Sequence, residues 1–218
     1  MSTRLAIFDC DGTLIDGQAS ICEAMEAAFN EFGLAVPDRN DVRRAVGLSL
    51  PQAVRQLLPE SDTELHHAIA DAYKRAFRAA RSEGRISQPL IPGIRSVLDA
   101  LLKAGWQLGV ATGMSDRGLI HCLESHEIVD LFVTLQTADR HPSKPDPSMA
   151  QTALFEAAAD PEHAVMIGDT AFDMQMAQRA SIRAIGVNWG YHSPDELVGA
   201  GAEFVANDPA ELAEYLLR

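Results

Sequence analysis

Residues 7–14 read Ile-Phe-Asp-Cys-Asp-Gly-Thr-Leu, and this stretch decides the fold. The apolar residues from Leu5 to Phe8 predict a buried strand, and the carboxylates of Asp9 and Asp11 follow it directly. Side chains alternate along an extended chain, so both carboxylates face the same side. Two anions this close are unfavourable unless a cation lies between them or one of them holds a proton. The stretch therefore indicates a polar site at the end of a strand.

The glycine and the cysteine of this stretch each allow two interpretations. Gly12 permits a turn that other residues resist and lets successive N–H groups point at an anion, but Asp-Gly is also a common turn dipeptide. Cys10 lies between the carboxylates, where a catalytic thiol is one interpretation. Alternation turns it away from them and favours packing. With Cys22 and Cys122 it forms no pair at zinc-ligand spacing, so we expect reduced, packed thiols.

The charge balance limits the partners of the chain. Its 218 residues carry a formal net charge of −13, which argues against nucleic acid and anionic membranes as partners. The same charge repels a phosphorylated metabolite, so a phosphate site needs local cations, and only three lysines are present: Lys74, Lys103 and Lys144. No apolar run approaches the roughly 20 residues that span a bilayer, and the N-terminal residues do not resemble a signal peptide. We therefore expect a cytoplasmic protein.

The periodicity of apolar residues divides the chain into two kinds of region. Between residues 16 and 88 every predicted element is a helix, and the helices cover Gln18–Phe32, Asp38–Val46, Pro51–Leu58 and Thr63–Arg81. From Pro92 onward helices alternate with strands, which are predicted at 107–111, 131–135, 164–167 and 184–187. The alternation predicts an α/β fold, a Rossmann-like doubly wound parallel sheet, with an inserted all-helical region.

Polar residues follow several of the predicted strands, at the edge where parallel sheets bind their ligands. They are Asp9, Asp11, Thr112, Lys144, Asp169 and Asp173. Because the carboxyl ends of parallel strands meet at one edge, we expect a carboxylate cluster, a hydroxyl and an ammonium to converge there.

The carboxylates in this group suit phosphoryl chemistry. Asp9, Asp11 and Asp169 offer the oxygen ligands that a hard divalent cation such as Mg²⁺ prefers. With its charge neutralised by the metal, Asp9 is the candidate nucleophile towards phosphorus and would form an aspartyl phosphate. Asp11 is the candidate acid that protonates the leaving alcohol and the base that later activates water.

Two other polar residues allow more than one role. Thr112 can hydrogen-bond a phosphate oxygen or cap the following helix, although Ser115 is the better cap candidate. Asp173 follows Asp169 by four residues at a helix start, so it can face the same metal or can simply stabilise the helix N-terminus. The seven histidines show no pair at metal-ligand spacing, and we expect surface or packing roles for them.

Lys144 lies in a loop stiffened by proline, Ser-Lys-Pro-Asp-Pro at residues 143–147. A proline after a residue biases that residue towards extended backbone, so Lys144 has little freedom. This suits a cation that neutralises a phosphate better than it suits a solvated surface charge. We also expect Asp146 to cap the next helix, with Pro147 as its first residue.

These residues, in this order, resemble the motifs of the haloacid dehalogenase-like hydrolases, in particular the small-cap phosphatase branch that contains the phosphoglycolate phosphatases. The four motifs resemble residues 9–13, Thr112-Gly113, Lys144-Pro145, and Gly168-Asp169 with Asp173. The resemblance spans almost the whole chain. It implies a catalytic core formed by residues 1–15 and 89–218, and a helical cap domain at residues 16–88.

The resemblance also implies a role for each matched residue. Asp9 is the nucleophile, and Asp11 is the general acid and base. The phosphate is held by Gly12, Thr112, Gly113 and Lys144. Mg²⁺ is held by Asp9, the backbone carbonyl of Asp11, Asp169 and, directly or through water, Asp173.

The substrate expected from this resemblance is a small phosphorylated metabolite, and a phosphoglycolate-like monoester is the leading candidate. Family dehalogenases lack an aspartate at the position of Asp11. Phosphonatases use a cap lysine, and Lys74, the only lysine of the cap region, sits in a charged run. The cap loop at residues 46–49 is expected to face the site and select the leaving group.

Two rival functions stay open at this point. A β-phosphoglucomutase-like sugar phosphomutase would use the same aspartates with a different cap. A non-catalytic metabolite-binding protein would need none of the four motifs intact. We expect a monomer or homodimer whose cap moves about hinges near residues 16–17 and 88–92.

Overall fold

A computed structural model describes residues 2–218 and places six parallel strands in one sheet. The strands are β1 (Arg4–Phe8), β2 (Trp106–Thr112), β3 (Phe132–Thr137), β4 (Ala164–Gly168), β5 (Arg183–Val187) and β6 (Phe204–Ala206). Their order across the sheet is β3-β2-β1-β4-β5-β6, and every neighbouring pair is parallel. The predicted fold class, a Rossmann-like doubly wound sheet, is confirmed.

The helices fall into two groups along the chain. Those between β1 and β2 that lie in the predicted insert are α1 (Gln18–Glu31), α2 (Arg39–Arg44), α3 (Leu50–Leu57) and α4 (Thr63–Ser82). The others are α5 (Ile94–Lys103), α6 (Asp116–Ser125), α7 (Ser148–Ala157), α8 (Ala171–Arg179), α9 (Pro194–Gly199) and α10 (Pro209–Leu217). We call residues 16–88 the cap and the remainder the core. Within residues 2–218, no helix has both the length and the apolar character needed to cross a membrane.

The sheet is buried on both faces, as the apolar run of β1 requires. Leu5 and Ile7 pack into a cluster with α7 and α8 on one face, whereas Ala6 and Phe8 pack into a cluster with α5, α6 and α10 on the other. Alternation along the strand explains this division. Full burial on both faces explains why β1 reads as a continuous apolar run.

The cap has its own hydrophobic cluster, which is separate from the two clusters that cover the sheet. It gathers apolar side chains of α1 and α4, such as Met25, Phe29 and Ile69, with Val42 of α2 and Val54 of α3. The helices bury these faces against each other and leave their charged faces in solvent. A four-helix insert can therefore form a stable layer without a strand.

The chain leaves and re-enters the core at neighbouring points. The backbone N–H of Asp16 donates to the carbonyl of Pro89 at 2.9 Å, and that of Ile91 donates to Leu14 at 2.9 Å. Both connections lie directly after the turn that follows β1. The cap is thereby anchored beside the carboxyl end of the first strand.

The strand β6 and the helix α9 were not predicted, and the predicted starts of α2, α3 and α7 are each wrong by one residue. The strand β6 has only three residues and α9 only six, so neither carries enough periodicity to be detected. Helix α7 begins at Ser148 rather than at Pro147. Asp146 still accepts a hydrogen bond from the Ser148 N–H at 3.0 Å, but it does so from one residue before the cap position.

The three cysteines are free and buried, as predicted. Cys10 is fully buried in the cluster beneath the sheet, on the face that also holds Cys122. The neighbouring Cys122 and burial raise the pKa of the Cys10 thiol well above its ordinary value. Cys10 is therefore a protonated packing residue on the opposite side of the strand from the carboxylates.

Candidate active site

The candidate site lies at the carboxyl edge of the sheet, where its winding changes direction. Strand β1 lies between β2 and β4, and the chain builds the sheet outward on both sides from it. The Asp9 N–H donates to the carbonyl of Ile167 at 2.8 Å, which ties the end of β1 to the end of β4. Doubly wound sheets bind ligands at this switch point.

Three buried carboxylates meet at this edge. Oxygen atoms of Asp9, Asp169 and Asp173 lie within 4.8 Å of one another. Among the residues described, neither oxygen of Asp9 accepts a hydrogen bond, although Oδ1 lies 2.8 Å from the Nζ atom of Lys144. Buried carboxylate oxygens without hydrogen bonds are suitable metal-ligand atoms for a hard cation. The cluster therefore fits a divalent metal ion such as Mg²⁺.

Lys144 supplies the positive charge next to this cluster. Its Nζ atom lies 2.6 Å from Asp173 Oδ1, and the side chain is fully buried. Burial alone would lower the pKa of this ammonium, but Asp173 and Asp9 outweigh burial and hold the pKa above its ordinary value. Lys144 is therefore a permanent cation inside the site.

The pKa values of the first two aspartates are raised by their surroundings. Burial raises the pKa of Asp9 to about 6 even though Lys144 opposes it. Burial, and then repulsion from Asp9, raises the pKa of Asp11 to about 7. A carboxyl group that titrates near neutral pH can both give and take a proton, which suits a general acid and base.

Two neighbouring threonines orient the aspartates that follow β4. Thr13 Oγ1 donates to Asp169 Oδ1 at 2.9 Å. Asp173 Oδ2 accepts hydrogen bonds from the N–H and hydroxyl of Thr170, at 3.1 and 2.7 Å, in a capping box at the start of α8. Asp173 therefore stabilises the start of α8, which is one of the two roles considered from the sequence, and its other oxygen pairs with Lys144.

The second predicted motif closes the site from β2. Thr112 is buried, and its hydroxyl accepts a hydrogen bond from the Met114 N–H at 3.3 Å. Ser115, not Thr112, caps α6 by accepting from the Gly118 N–H, as expected. A Cβ atom on Gly113 would collide with the carbonyl oxygen of Leu48, so only glycine lets the cap approach this closely.

Gly12 occupies the turn in a conformation that favours glycine. Its φ angle is +89°, and a Cβ atom there would collide with the carboxylate of Asp169. A Cβ atom on Gly17, at the entrance to the cap, would lie 2.7 Å from Asp11 Oδ1. Both glycines therefore leave the space that the two carboxylates occupy.

The cap is in contact with the core beside the site. Arg44 of α2 forms an ion pair with Glu196 of α9, and the Ser49 N–H donates to the Ser143 hydroxyl at 2.8 Å. His192 joins both parts, because its Nδ1 accepts from the Ala171 N–H at 3.1 Å and its Nε2 faces the Arg44 carbonyl at 3.2 Å. The first bond requires an unprotonated Nδ1, so Nε2 carries the proton and donates to the cap.

Sequence reasoning did not single out several residues of this site. His192 was assigned only a surface or packing role, and Thr13, Thr170 and Tyr191 were given none. The Tyr191 N–H donates to Asp169 Oδ2 at 2.9 Å. The one sequence signal available was the position of Thr13 and Thr170 directly beside predicted motifs. For Tyr191 and His192, which follow β5, the chain offers no comparable pattern.

The family of the chain follows from comparison with known proteins. A family model described as haloacid dehalogenase-like hydrolase matches residues 6–187. The chain therefore belongs to the haloacid dehalogenase-like hydrolase family, in agreement with the motifs at the ends of β1, β2 and β4. The expected enzyme class, a phosphatase of this family, is also confirmed.

Individual relatives cover nearly the whole chain. "Probable phosphatase IndB" of Dickeya dadantii is 33% identical over 215 residues, which are 95% of this chain and 91% of that protein. A phosphoglycolate phosphatase of Agrobacterium fabrum is 31% identical over 86% of this chain and 81% of its own length. The crystal structure of "a predicted phosphatase from Clostridium acetobutylicum" superposes with a TM-score of 0.89 at 26% identity, covering 100% of this chain and 99% of the other.

Proposed function

We propose that the protein is a Mg²⁺-dependent phosphatase that hydrolyses a small phosphoglycolate-like phosphomonoester through a phosphoaspartate intermediate. The observation that carries this proposal is the buried carboxylate of Asp9, which forms an ion pair with Lys144 and has oxygen atoms of Asp169 and Asp173 within 4.8 Å. The proposed substrate class is taken from relatives that are named phosphoglycolate phosphatase.

The metal ion would be held by the acidic cluster. Asp9 and Asp169 offer carboxylate oxygens, Asp11 its backbone carbonyl, and Asp173 an oxygen that binds directly or through water. When bound, Mg²⁺ supplies Lewis-acid polarisation of a phosphoryl oxygen and offsets the repulsion between the aspartates and the substrate.

In the first half of the proposed reaction, an oxygen of Asp9 attacks phosphorus. The bond between phosphorus and the ester oxygen breaks, and Asp11 gives its proton to that oxygen so that a neutral alcohol leaves. Burial and repulsion from Asp9 raise the pKa of Asp11 above its ordinary value, which favours the protonated form that this step needs. Asp9 then carries the phosphoryl group.

In the second half, water replaces Asp9 on phosphorus. Asp11, now ionised, accepts a proton from the attacking water, the bond between Asp9 and phosphorus breaks, and inorganic phosphate leaves. Lys144, the hydroxyl of Thr112 and the backbone N–H groups at Gly12 and Gly113 are proposed to hold the phosphoryl oxygens. A buried cation is needed here because the chain carries a net charge of −13.

The division into parts is also proposed in its predicted form, with a catalytic core at residues 1–15 and 89–218 and a cap domain at 16–88. The separate hydrophobic cluster of the cap supports this division.

We propose a cytoplasmic enzyme that acts as a monomer or homodimer on a small metabolite, without nucleic acid or membrane partners. Lys74 pairs with Asp71 at the surface, which gives no support to a phosphonatase.

The experiment is phosphate release from a panel of small phosphate esters that includes 2-phosphoglycolate. Each ester is tested with Mg²⁺ and with a chelator, for the wild type and for Asp9→Asn. We expect release that depends on Mg²⁺ and is lost in the variant. Isomerised sugar phosphate without net phosphate release would instead identify a mutase, and binding of a metabolite without turnover would identify a binding protein.

A further inference from the structure

Arg81, near the end of the cap helix α4, is a partly buried cation without a carboxylate partner. Neighbouring arginines are paired, Arg75 with Glu31 and Arg85 with Glu83. Among residues 2–218, the only polar contact of the Arg81 side chain is with the amide of another side chain, although the chain has 31 acidic residues against 18 lysines and arginines. Burial lowers the pKa of the guanidinium, because an unpaired charge is unfavourable away from water. The fold therefore leaves this cation without the anion that would stabilise it.

Two contacts hold the guanidinium of Arg81 in place. Its Cζ atom lies 5.3 Å from the centroid of the Phe77 ring, which itself stacks on Tyr73 with centroids 5.8 Å apart. Its Nη2 atom donates to Oε1 of Gln88 at 3.5 Å, which is long for a hydrogen bond. The aromatic ring and the amide orient the guanidinium but leave most of its five N–H donors free.

Gln88 connects this cation to the candidate active site. His126 Nε2 lies 2.7 Å from the Gln88 carbonyl oxygen and so fixes the backbone where the chain returns to the core. A Cβ atom on Gly17 would lie 2.7 Å from Asp11 Oδ1 and 3.5 Å from Gln88 Nε2. The amide nitrogen and the carboxylate therefore border the same small space, which the missing side chain of Gly17 leaves open. Arg81 and Gln88 thus bring N–H donors to the Asp11 side of the site.

The Asp11 side is where the alcohol leaves in the proposed reaction, because Asp11 protonates the ester oxygen. The phosphoryl group belongs to the opposite side, where Lys144 pairs with Asp9 at 2.8 Å. Among the residues described, neither Arg81 nor Gln88 has a polar contact with this pair. An anion bound by Arg81 is therefore a second anionic group, carried by the leaving alcohol.

The donor set matches a carboxylate. A guanidinium presents its N–H groups as a planar fork that fits the two oxygens of a carboxylate, and the side-chain amide of Gln88 adds further N–H donors. The net charge of −13 repels an anionic alcohol as it repels the phosphoryl group. A local cation is needed for each of the two anionic groups, and Arg81 supplies the second one.

We propose that Arg81, assisted by the amide of Gln88, is a specificity-determining residue that binds a carboxylate on the leaving group. This inference rests on the proposed phosphatase function and deepens it. It assigns the substrate to phosphate esters whose alcohol carries a carboxylate close to the ester oxygen. Esters of neutral alcohols leave the guanidinium unpaired.

The test compares two esters of the same shape and different charge, 2-phosphoglycolate and its neutral amide, glycolamide phosphate. For each ester kcat and KM are measured for the wild type, Arg81→Met, Arg81→Gln and Arg81→Lys. The control is Arg78→Met, which removes an exposed arginine from the same helix. Arg81→Met keeps an apolar side chain against Phe77, and melting temperatures show whether each variant is folded. Arg81→Gln provides the same comparison if Arg81→Met does not fold.

We expect Arg81→Met and Arg81→Gln to lower kcat/KM for 2-phosphoglycolate by about ten- to a hundredfold, since a hydrogen bond between charged groups is lost. For glycolamide phosphate the change should stay within about twofold. Arg81→Lys keeps the charge and should retain more of the preference for the carboxylate than either neutral variant. Arg78→Met should leave both esters within about twofold.

Two results would overturn the inference while leaving the phosphatase proposal intact. One is a wild type that hydrolyses the two esters with equal kcat/KM. The other is an unchanged ratio between the two esters in the neutral Arg81 variants, whether both activities fall or neither does, which would give Arg81 a structural role only. A wild type that releases no phosphate from any ester would overturn the function and the inference together.

Discussion

Ion pairs are exposed to solvent in the cap but buried at the carboxyl edge of the sheet. In the cap, the ion pair of Arg75 and Glu31 leaves 56% and 51% of the two side chains exposed. At the sheet edge, Lys144 pairs with Asp9 and Asp173, and none of these side chains is more than 1% exposed. Exposed pairs contribute about 0–1 kcal/mol, whereas buried pairs must overcome a large desolvation penalty. Among residues 2–218, the buried aspartate and lysine side chains, Asp9, Lys144, Asp169 and Asp173, all lie at this edge.

The contact between Arg44 and Glu196 lies between these extremes. The pair joins the cap to the core and is about half exposed on the Arg44 side. It is therefore expected to affect how the cap sits on the core more than it affects overall stability.

The largest effect is expected for Asp9→Asn. Loss of the nucleophile should lower kcat by about 10⁴-fold or more, because the amide cannot form the phosphoaspartate. Removal of a cap carboxylate in Glu31→Gln should leave kcat within about twofold. Phosphate release under saturating ester and Mg²⁺ measures both variants. Substantial activity in Asp9→Asn would show that another group attacks phosphorus.

The second effect concerns stability and separates buried from exposed cations. Lys144→Met leaves two buried carboxylates without their cation, so the free energy of unfolding should fall by about 3 kcal/mol. Arg75→Met, in the exposed cap pair, should change it by about 0.5 kcal/mol or less. Denaturant unfolding of both variants without metal gives the comparison. Equal small changes would mean that Lys144 is not needed to hold Asp9 and Asp173.

The third effect is a pH-dependent gain in stability from Asp11→Asn. The folded-state pKa of about 7 lies above the ordinary value of 3.8, so ionised Asp11 destabilises the fold at high pH. This destabilisation is absent below the unfolded-state pKa and becomes complete as pH rises through the folded value. Without metal, the free energy of unfolding of the variant should therefore be about 2 kcal/mol higher than that of the wild type at about pH 8. At about pH 4 the two values should differ little.

The measurement for Asp11→Asn is thermal or denaturant unfolding in chelator across that pH range. The control is Glu203→Gln, a substitution at the surface of the catalytic core. This variant should show no gain in stability at high pH. A variant less stable than the wild type at high pH would mean that Asp11 forms favourable contacts as an anion.

The smallest effect is expected at the contact between cap and core. Burial is slight here, and Arg44 and Ser193 lower the pKa of Glu196 to about 2. Glu196→Gln should reduce stability by only about 0.5 kcal/mol, but it should raise KM about two- to fivefold if cap closure contributes to substrate binding. Unfolding and steady-state kinetics measured together separate the two effects. An unchanged KM would show that this ion pair does not govern cap position.

Much of the fold could be predicted because the apolar pattern within each longer strand of the core is sufficient to identify that strand. The apolar run before Asp9 and the alternation after Pro92 led to the parallel sheet, and helix α4 was predicted to begin at its observed first residue, Thr63. Strand β6 was missed because three residues form a strand only through pairing with β5. Helix α9 likewise depends on packing beneath β5 and β6.

The candidate site likewise has some features that follow from the sequence and others that follow only from the tertiary structure. The chain by itself determined the polar residues that follow β1, β2, β3 and β4, because the ends of parallel strands lie at one edge of the sheet. Only the tertiary structure decided which of those groups bind each other, such as Lys144 with Asp173, 29 positions apart. It also placed Tyr191 and His192 at the site, since their contacts with Gly12 and Arg44 bridge well over a hundred positions.

The physical reason is the range of the forces involved. Periodicity and strand-end chemistry act between residues a few positions apart, so the sequence alone determined the sheet, the helical insert and the order of the motifs. The raised pKa values of Asp9 and Asp11 and the unpaired hydroxyl of Tyr191 depend on burial, which arises only when the cap and the core pack around the site.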